Sequence, residues 1–97
     1  MKTLLRKEYK NASVTILQEN LASLRAKAGL SQEEFAGLVG ISRQTYHAIE
    51  CGKQVMSWTV FLATIFLYHE LNSTNDMLEN MNIYPSEMFV ALNKNKE

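Results

Sequence analysis

The sequence predicts an all-α protein that folds as one compact five-helix domain. Apolar residues recur at helical spacing over most of the chain, and no stretch shows the sustained alternation of a β-strand. One proline and four glycines leave little room for long loops. The 97 residues, 46% of them hydrophobic, are enough to enclose one core, so a single domain is expected.

The first predicted helix spans about residues 13–28. Ser13 is a suitable N-cap, and Gly29 stands where a helix commonly ends in a left-handed residue. The apolar face of this helix consists of Leu17, Leu21, Leu24 and Ala28. The preceding pattern is interrupted at Asn11, so we predict that residues 1–12 form an N-terminal extension.

Two short helices are predicted next. Ser31 and Glu34 form a capping box at the start of the second helix, which ends before Gly40. Ser42 caps the third helix, which spans about residues 42–51. Apolar and polar side chains lie on opposite sides of this third helix, so we predict one buried and one exposed face.

A fourth predicted helix begins at the Ser57 cap and carries a wide apolar stripe. The stripe consists of Trp58, Phe61, Leu62, Ile65 and Tyr68. Phe66 lies outside the stripe, so the helix is apolar in more directions than one core requires. This excess predicts a second surface that meets the terminal segments or another subunit.

The domain is predicted to close with a fifth helix. A polar run at residues 72–75 is expected to end the fourth helix. The apolar residues of the fifth helix are Met77, Leu78 and Met81. The main domain therefore covers residues 13–82, and residues 83–97 form a C-terminal extension.

Two short helices joined by a glycine-containing turn are typical of a helix-turn-helix. In this motif the first helix braces against the DNA backbone and the second lies in the major groove. The diagnostic segments are Leu24-Arg25, Gly29 to Ala36, Val39 to Thr45, and Ile49 to Lys53. Over about half of the chain, these segments resemble the Cro/repressor-type (XRE-like) helix-turn-helix family of bacterial and phage transcriptional regulators. The resemblance implies a repressor-like DNA-binding domain.

Five residues have a predicted structural role. Ala36 is small enough for the second and third helices to approach closely, and Gly40 accommodates a left-handed turn. Ile41 is expected to fill the angle between these helices. The resemblance further implies that Arg25 pairs with Glu50, as the corresponding residues of the family do.

The resemblance also implies which side chains meet DNA. The predicted base contacts are Arg43, Gln44, Thr45, His47 and Ala48. Arginine can bind guanine O6 and N7, and glutamine can bind adenine N6 and N7, so Arg43 and Gln44 are the strongest candidates for specificity. The predicted phosphate contacts are Gln32, Ser42 and Lys53.

The charge is distributed unevenly along a chain whose formal net charge is zero. Residues 1–56 carry eight lysines and arginines against five acids, a net charge of +3, and residues 57–97 carry two against five, a net charge of −3. Neutralisation of phosphates supplies the sequence-independent part of DNA affinity. We therefore predict that the first part faces DNA and that the acidic part has another purpose.

The sequence does not favour a metal site or an enzyme. His47 and Cys51 are four residues apart on one predicted helix, but two ligands without a third are weak evidence for a metal. We expect Cys51 to be a partly buried thiol, and we expect no cofactor. His69 and Glu70 have no nucleophile or glycine-rich phosphate loop beside them, so no catalytic activity is expected.

A cytoplasmic location is expected. The longest apolar run, residues 60–68, is shorter than the roughly 20 residues of a membrane span. The N-terminus has charge but no long apolar region typical of a secretory signal. A single cysteine cannot form an intramolecular disulfide, which fits a reducing compartment.

The predicted function is a sequence-specific repressor that binds a pseudo-palindromic DNA operator as a homodimer, with half-sites about 10 bp apart or a multiple of that distance. The dimer contacts are predicted in the C-terminal half, at Met77, Leu78, Met81, Ile83 and Phe89. One alternative is an antitoxin-like protein whose C-terminal segment binds a toxin. Another is a protein-interaction module that kept the fold and lost DNA binding, which the neutral net charge favours.

Overall fold

The computed structural model describes residues 6–83, which form six α-helices and no strand. The helices are α1 (Lys7–Glu19), α2 (Leu21–Ala28), α3 (Gln32–Val39), α4 (Arg43–Glu50), α5 (Trp58–Glu70) and α6 (Asn72–Asn80). The all-α prediction is confirmed, with six helices in this range in place of five. The predictions for residues 1–5 and 84–97, including the role of Phe89, lie outside the described residues.

Three serines begin helices as predicted. Each accepts a hydrogen bond from the backbone N–H three residues further on, which satisfies a donor that the first helical turn leaves free. The three pairs are Ser31 with Glu34, Ser42 with Thr45, and Ser57 with Val60. The Glu34 carboxylate also accepts from the Ser31 N–H, which completes the predicted capping box.

The first predicted helix is wrong in its extent. Helix α1 already begins at Lys7, so Ser13 is a buried residue inside it and not an N-cap. Helix α1 ends at Glu19, because Asn20 leaves the helical conformation, with φ −109° and ψ 5°. The Asn20 side chain donates to the Ile16 carbonyl, and such a local bond competes with the helical ladder. The sequence did not indicate this break, because the apolar pattern continues across it.

The polar residues 72–75 form the first turn of α6. They were predicted to end the fourth helix as a separating segment, but no loop of this kind separates α5 from α6. The break falls on Leu71 alone, whose backbone is extended. Thr74 donates its hydroxyl to the Tyr68 carbonyl at 2.7 Å, and Asn75 donates its amide to the His69 carbonyl at 2.6 Å. These side chains satisfy carbonyls at the end of α5, so the polar residues join α6 closely to α5.

The core lies between the five later helices and the inner face of α1. Phe35 is at its centre, with its ring 5.1 Å from the rings of both Tyr46 and Tyr68. These three fully buried aromatics connect α3, α4 and α5. Aromatic side chains bury large areas and pack in defined geometries, so this contact fixes the orientation of α4 relative to its neighbours.

Two residues predicted to contact a second subunit belong to the core of the chain itself. Leu78 and Ile83 are buried, 1% and 2% exposed, so this part of the dimer prediction is wrong. Met77 and Met81 are partly buried and pack against the same core. Helix α6 therefore completes the described part of the domain, because α1 to α5 alone would leave one side of α2 and α5 uncovered.

Helix α5 retains one large apolar side chain outside the core. Phe66 is 64% exposed, whereas Phe61, Ile65 and Tyr68 on the other side of the helix are buried.

Helices α1 and α5 have 13 residues each. Among residues 6–83, no helix has both the length and the apolar character required to cross a membrane.

Candidate nucleic-acid interface

A tight turn connects α3 to α4. Gly40 ends α3 in the left-handed region, with φ 80° and ψ 30°, where a side chain would be strained. The Ile41 N–H donates to the Ala36 carbonyl at 3.0 Å, and Ser42 then begins α4. Ala36 is buried, and the half-buried Ile41 packs against the core. The two helices are therefore held in the short helix-turn-helix arrangement.

Helix α4 has one buried and one exposed face. Tyr46 and Ile49 point into the core. The residues on the opposite face are Arg43, Gln44 and His47, which are exposed, and Ala48, which is half-buried. Four of the five predicted base contacts thus lie on one accessible surface, which a major groove can accommodate.

Thr45 differs from the other predicted base contacts. It is half-buried, and its hydroxyl oxygen accepts a hydrogen bond from the Ser42 hydroxyl at 2.9 Å. The Ser42 hydroxyl oxygen in turn accepts from the Thr45 N–H at 3.0 Å. The two side chains therefore stabilise the start of α4, where a helix leaves backbone donors free.

Cys51 is exposed, so the prediction of a partly buried thiol is wrong. It follows the last turn of α4 and lies on the same side as His47, with its Sγ 3.4 Å from the His47 Nε2. Within residues 6–83 there is no group of three histidine, cysteine, aspartate or glutamate side chains that could hold a metal ion. The thiol is part of the accessible surface of α4.

An ion pair connects α2 to the end of α4. Arg25 Nε donates to Glu50 Oε2 at 3.0 Å, and Arg25 Nη2 donates to Glu50 Oε1 at 2.9 Å. The remaining Arg25 nitrogen, Nη1, donates to the Leu30 carbonyl at 3.0 Å. A planar guanidinium is suited to such a two-point contact. Arg25 therefore fixes the end of α4 and the segment that precedes α3.

Gln32 extends this ion pair to the exposed face of α4. Its Nε2 donates to Glu50 Oε1 at 3.3 Å, so its Oε1 is left to face His47 Nδ1 at 3.2 Å. Because an amide oxygen can only accept, His47 Nδ1 is the donor in this contact. The side chain predicted to hold a phosphate thus bonds within the chain and orients His47.

The environment of Glu50 determines its ionisation. The hydrogen bonds from Arg25 lower the pKa of Glu50 from 4.5 to about 2, although partial burial acts in the opposite direction. The hydroxyl of Tyr46 is buried near this carboxylate without a hydrogen-bond partner. Burial first, and the neighbouring Glu50 carboxylate second, raise the pKa of Tyr46 well above its usual value. Tyr46 is therefore neutral and Glu50 is charged at neutral pH.

Gln18 has a role that the sequence did not indicate. Its Nε2 donates to the carbonyls of Ile49 and Gln54, both at 2.8 Å, and its Oε1 accepts from the Met56 N–H at 3.2 Å. One side chain of α1 thus binds three backbone groups around the loop that follows α4. No local pattern predicts these contacts, because the partners are 31 to 38 residues away along the chain.

Lys53 lies in the loop held by Gln18. The loop turns at Gly52, whose φ is 79°, and the Lys53 N–H donates to the Ala48 carbonyl at 2.9 Å. The Lys53 side chain is exposed. Its position directly after the end of α4 therefore allows it to contact a phosphate beside a groove occupied by that helix.

The depressed pKa of Glu50 predicts a loss of stability in acid. A carboxyl with a folded-state pKa below its unfolded value stabilises the fold fully above about pH 4.5, and this stabilisation disappears as the pH falls toward about 2. When the pH falls from about 6 to about 3, we expect protonation of Glu50 to lower the free energy of unfolding by about 1 kcal/mol, after allowance for solvent screening. Urea unfolding at both pH values measures the loss.

Glu50→Gln provides the matched control for this titration. The pKa of Glu34 is also lowered, by hydrogen bonds from Ser31, but that contribution is common to both proteins. The decrease in the free energy of unfolding between the two pH values should therefore be about 1 kcal/mol smaller in Glu50→Gln than in the original chain. Identical losses would mean that Glu50 titrates normally in the folded state.

Comparison with known proteins is consistent with this geometry. A family model described as a helix-turn-helix domain matches residues 17–69. No curated protein and no solved structure matches the chain. The matched range runs from the end of α1 almost to the end of α5 and contains the whole α3–turn–α4 unit. Because the match covers more than half of the sequence, the chain belongs to the helix-turn-helix domain family, and this membership indicates a DNA-binding regulator.

Proposed function

We propose that the chain is a sequence-specific transcriptional regulator that reads the major groove with α4. The exposed polar face of α4 carries the proposal, because Arg43, Gln44 and His47 share it and the buried side of the helix is fixed by the core. Arginine and glutamine can each make paired hydrogen bonds to one base, guanine and adenine respectively. His47 adds a third polar side chain whose orientation Gln32 supports.

Lys53 is the principal phosphate contact in this proposal. Its side chain is exposed, whereas the side chains of Gln32 and Ser42 bond within the chain. The role of Gln32 in this interface is therefore to support His47, and that of Ser42 is to begin α4. Phosphate contacts position such a protein without reading sequence.

The regulator acts as a repressor and binds its operator as a homodimer in the cytoplasm, without a cofactor or catalytic activity. Helix-turn-helix dimers place two recognition helices about one DNA turn apart, so the operator is pseudo-palindromic with half-sites about 10 bp apart or a multiple of that distance. Phe66, 64% exposed on α5, supports an additional apolar contact in the C-terminal half.

A protein-binding role is the second candidate. Phe66 and Leu38 are both large apolar side chains with more than half of their surface exposed, and the net charge of the chain is zero. An antitoxin-like protein would use exposed apolar side chains of this kind to bind its toxin, and an interaction module would use them to bind a protein without DNA. This role predicts stable capture of a protein and, for the module, no salt-dependent affinity for DNA.

Fluorescence anisotropy tests the proposed function. The purified chain is titrated against a labelled duplex from upstream of its own gene and against a scrambled duplex, at about 50 and 200 mM salt. We expect tight binding to the first duplex and weaker, strongly salt-dependent binding to the second. If the chain binds neither duplex, and also binds none of a set of overlapping duplexes that cover the whole upstream region, self-regulation is contradicted and the protein-binding role is favoured.

A further inference from the structure

A basic groove lies beside the loop that follows α4. Arg6 and residues of α1 as far as Thr15 form one wall, and Val55, Met56 and Trp58 form the other, around a volume of about 800 Å³. Arg6, Lys7 and Lys10 supply the charge, against a single carboxylate, that of Glu8. The groove therefore carries a positive charge in a chain whose formal net charge is zero.

The two walls of the groove are fixed relative to each other. Gln18 binds the backbone at Gln54 and Met56, which holds α1 against the loop. The Lys10 ammonium lies 5.3 Å from the centroid of the Trp58 ring, within range of a cation–π contact. Trp58 in turn stacks on the buried Phe61 with 4.6 Å between ring centroids. The Trp58 wall of the groove is thus anchored to the core.

The groove adjoins the proposed DNA contact. Val55, which lines it and is 79% exposed, follows Lys53 by two residues, so their backbones are at most about 7 Å apart. The groove thus reaches the loop that carries Lys53. The cations of α1 precede residue 17, where the match to the family model begins.

We propose that this groove binds phosphates of the DNA strand adjacent to the major groove occupied by α4. The inference rests on the proposed function. Charge complementarity identifies the ligand, because three cations line the groove and an anionic backbone would pass beside Lys53. Helix α1 then enlarges the sequence-independent contact, which compensates for the low net charge of the chain.

The salt dependence of DNA binding tests this inference. Each phosphate contact contributes about 0.9 to the slope of log affinity against log salt concentration. For a labelled duplex of mixed sequence, Lys7→Gln combined with Lys10→Gln should lower the magnitude of the slope by about two and weaken binding. Lys10→Arg keeps the charge and should retain the original slope. Lys27→Gln removes one exposed charge on α2, outside the groove, and should also leave the slope unchanged.

The results separate this inference from the proposed function. If the original chain binds the duplex and the double variant, still folded by circular dichroism, has the same slope, the groove is not a phosphate site although the protein binds DNA. A slope lowered equally by Lys27→Gln would also overturn the inference, because the effect would then be one of overall charge. If the original chain has no affinity for DNA at any salt concentration, the proposed function itself fails.

Discussion

Arg25→Met should lower the free energy of unfolding by about 3 kcal/mol, because it leaves the Glu50 carboxylate half-buried without its cation. Both partners are shielded, with side chains 21% and 10% exposed, so water can replace the lost hydrogen bonds only in part. The substitution also removes the donor to the Leu30 carbonyl. Urea unfolding at neutral pH measures the loss as a shift of the midpoint.

Lys27→Met is the matched control, since it removes an exposed cation from the same helix. It should change stability by no more than about 0.5 kcal/mol. A loss in Arg25→Met no larger than in this control would mean that solvent screens the ion pair. The pair would then not be the connection that holds α4 to α2.

Gln44→Ala should weaken binding to the cognate operator by about 1–3 kcal/mol and have little effect on DNA of unrelated sequence. The Gln44 side chain is exposed on the face of α4 proposed to meet base edges, and a paired contact to adenine is lost on truncation. Anisotropy titrations with the operator and with scrambled DNA measure the two effects separately.

Lys53→Ala provides the comparison for a phosphate contact. It should weaken binding to both DNAs to a similar extent and lower the salt slope by about one. Equal losses from Gln44→Ala and Lys53→Ala on both DNAs would contradict the division into a base contact and a phosphate contact. Loss at the operator alone from Lys53→Ala would place that lysine among the base contacts instead.

The sequence alone predicted the local features of the domain. Ser31 with Glu34, Ser42 and Ser57 begin helices where expected, and Gly40 adopts the left-handed turn. These features depend on partners within about four residues, so local chemistry suffices to predict them. The exposed side of α4 followed for the same reason, because helical spacing separates Arg43, Gln44 and His47 from the buried residues.

Apart from the Arg25–Glu50 pair, which the family resemblance implied, only the tertiary structure decided which distant groups meet. The length of α1, the contacts of Gln18 with the loop after α4, and the bond between Gln32 and His47 follow from the packing of segments far apart in sequence. Leu78 has the apolar character of an interface residue and of a core residue alike, and only the position of α6 assigned it to the core. Local patterns determine where helices begin and which face is apolar, but the partner of a face depends on the arrangement of all helices around one core.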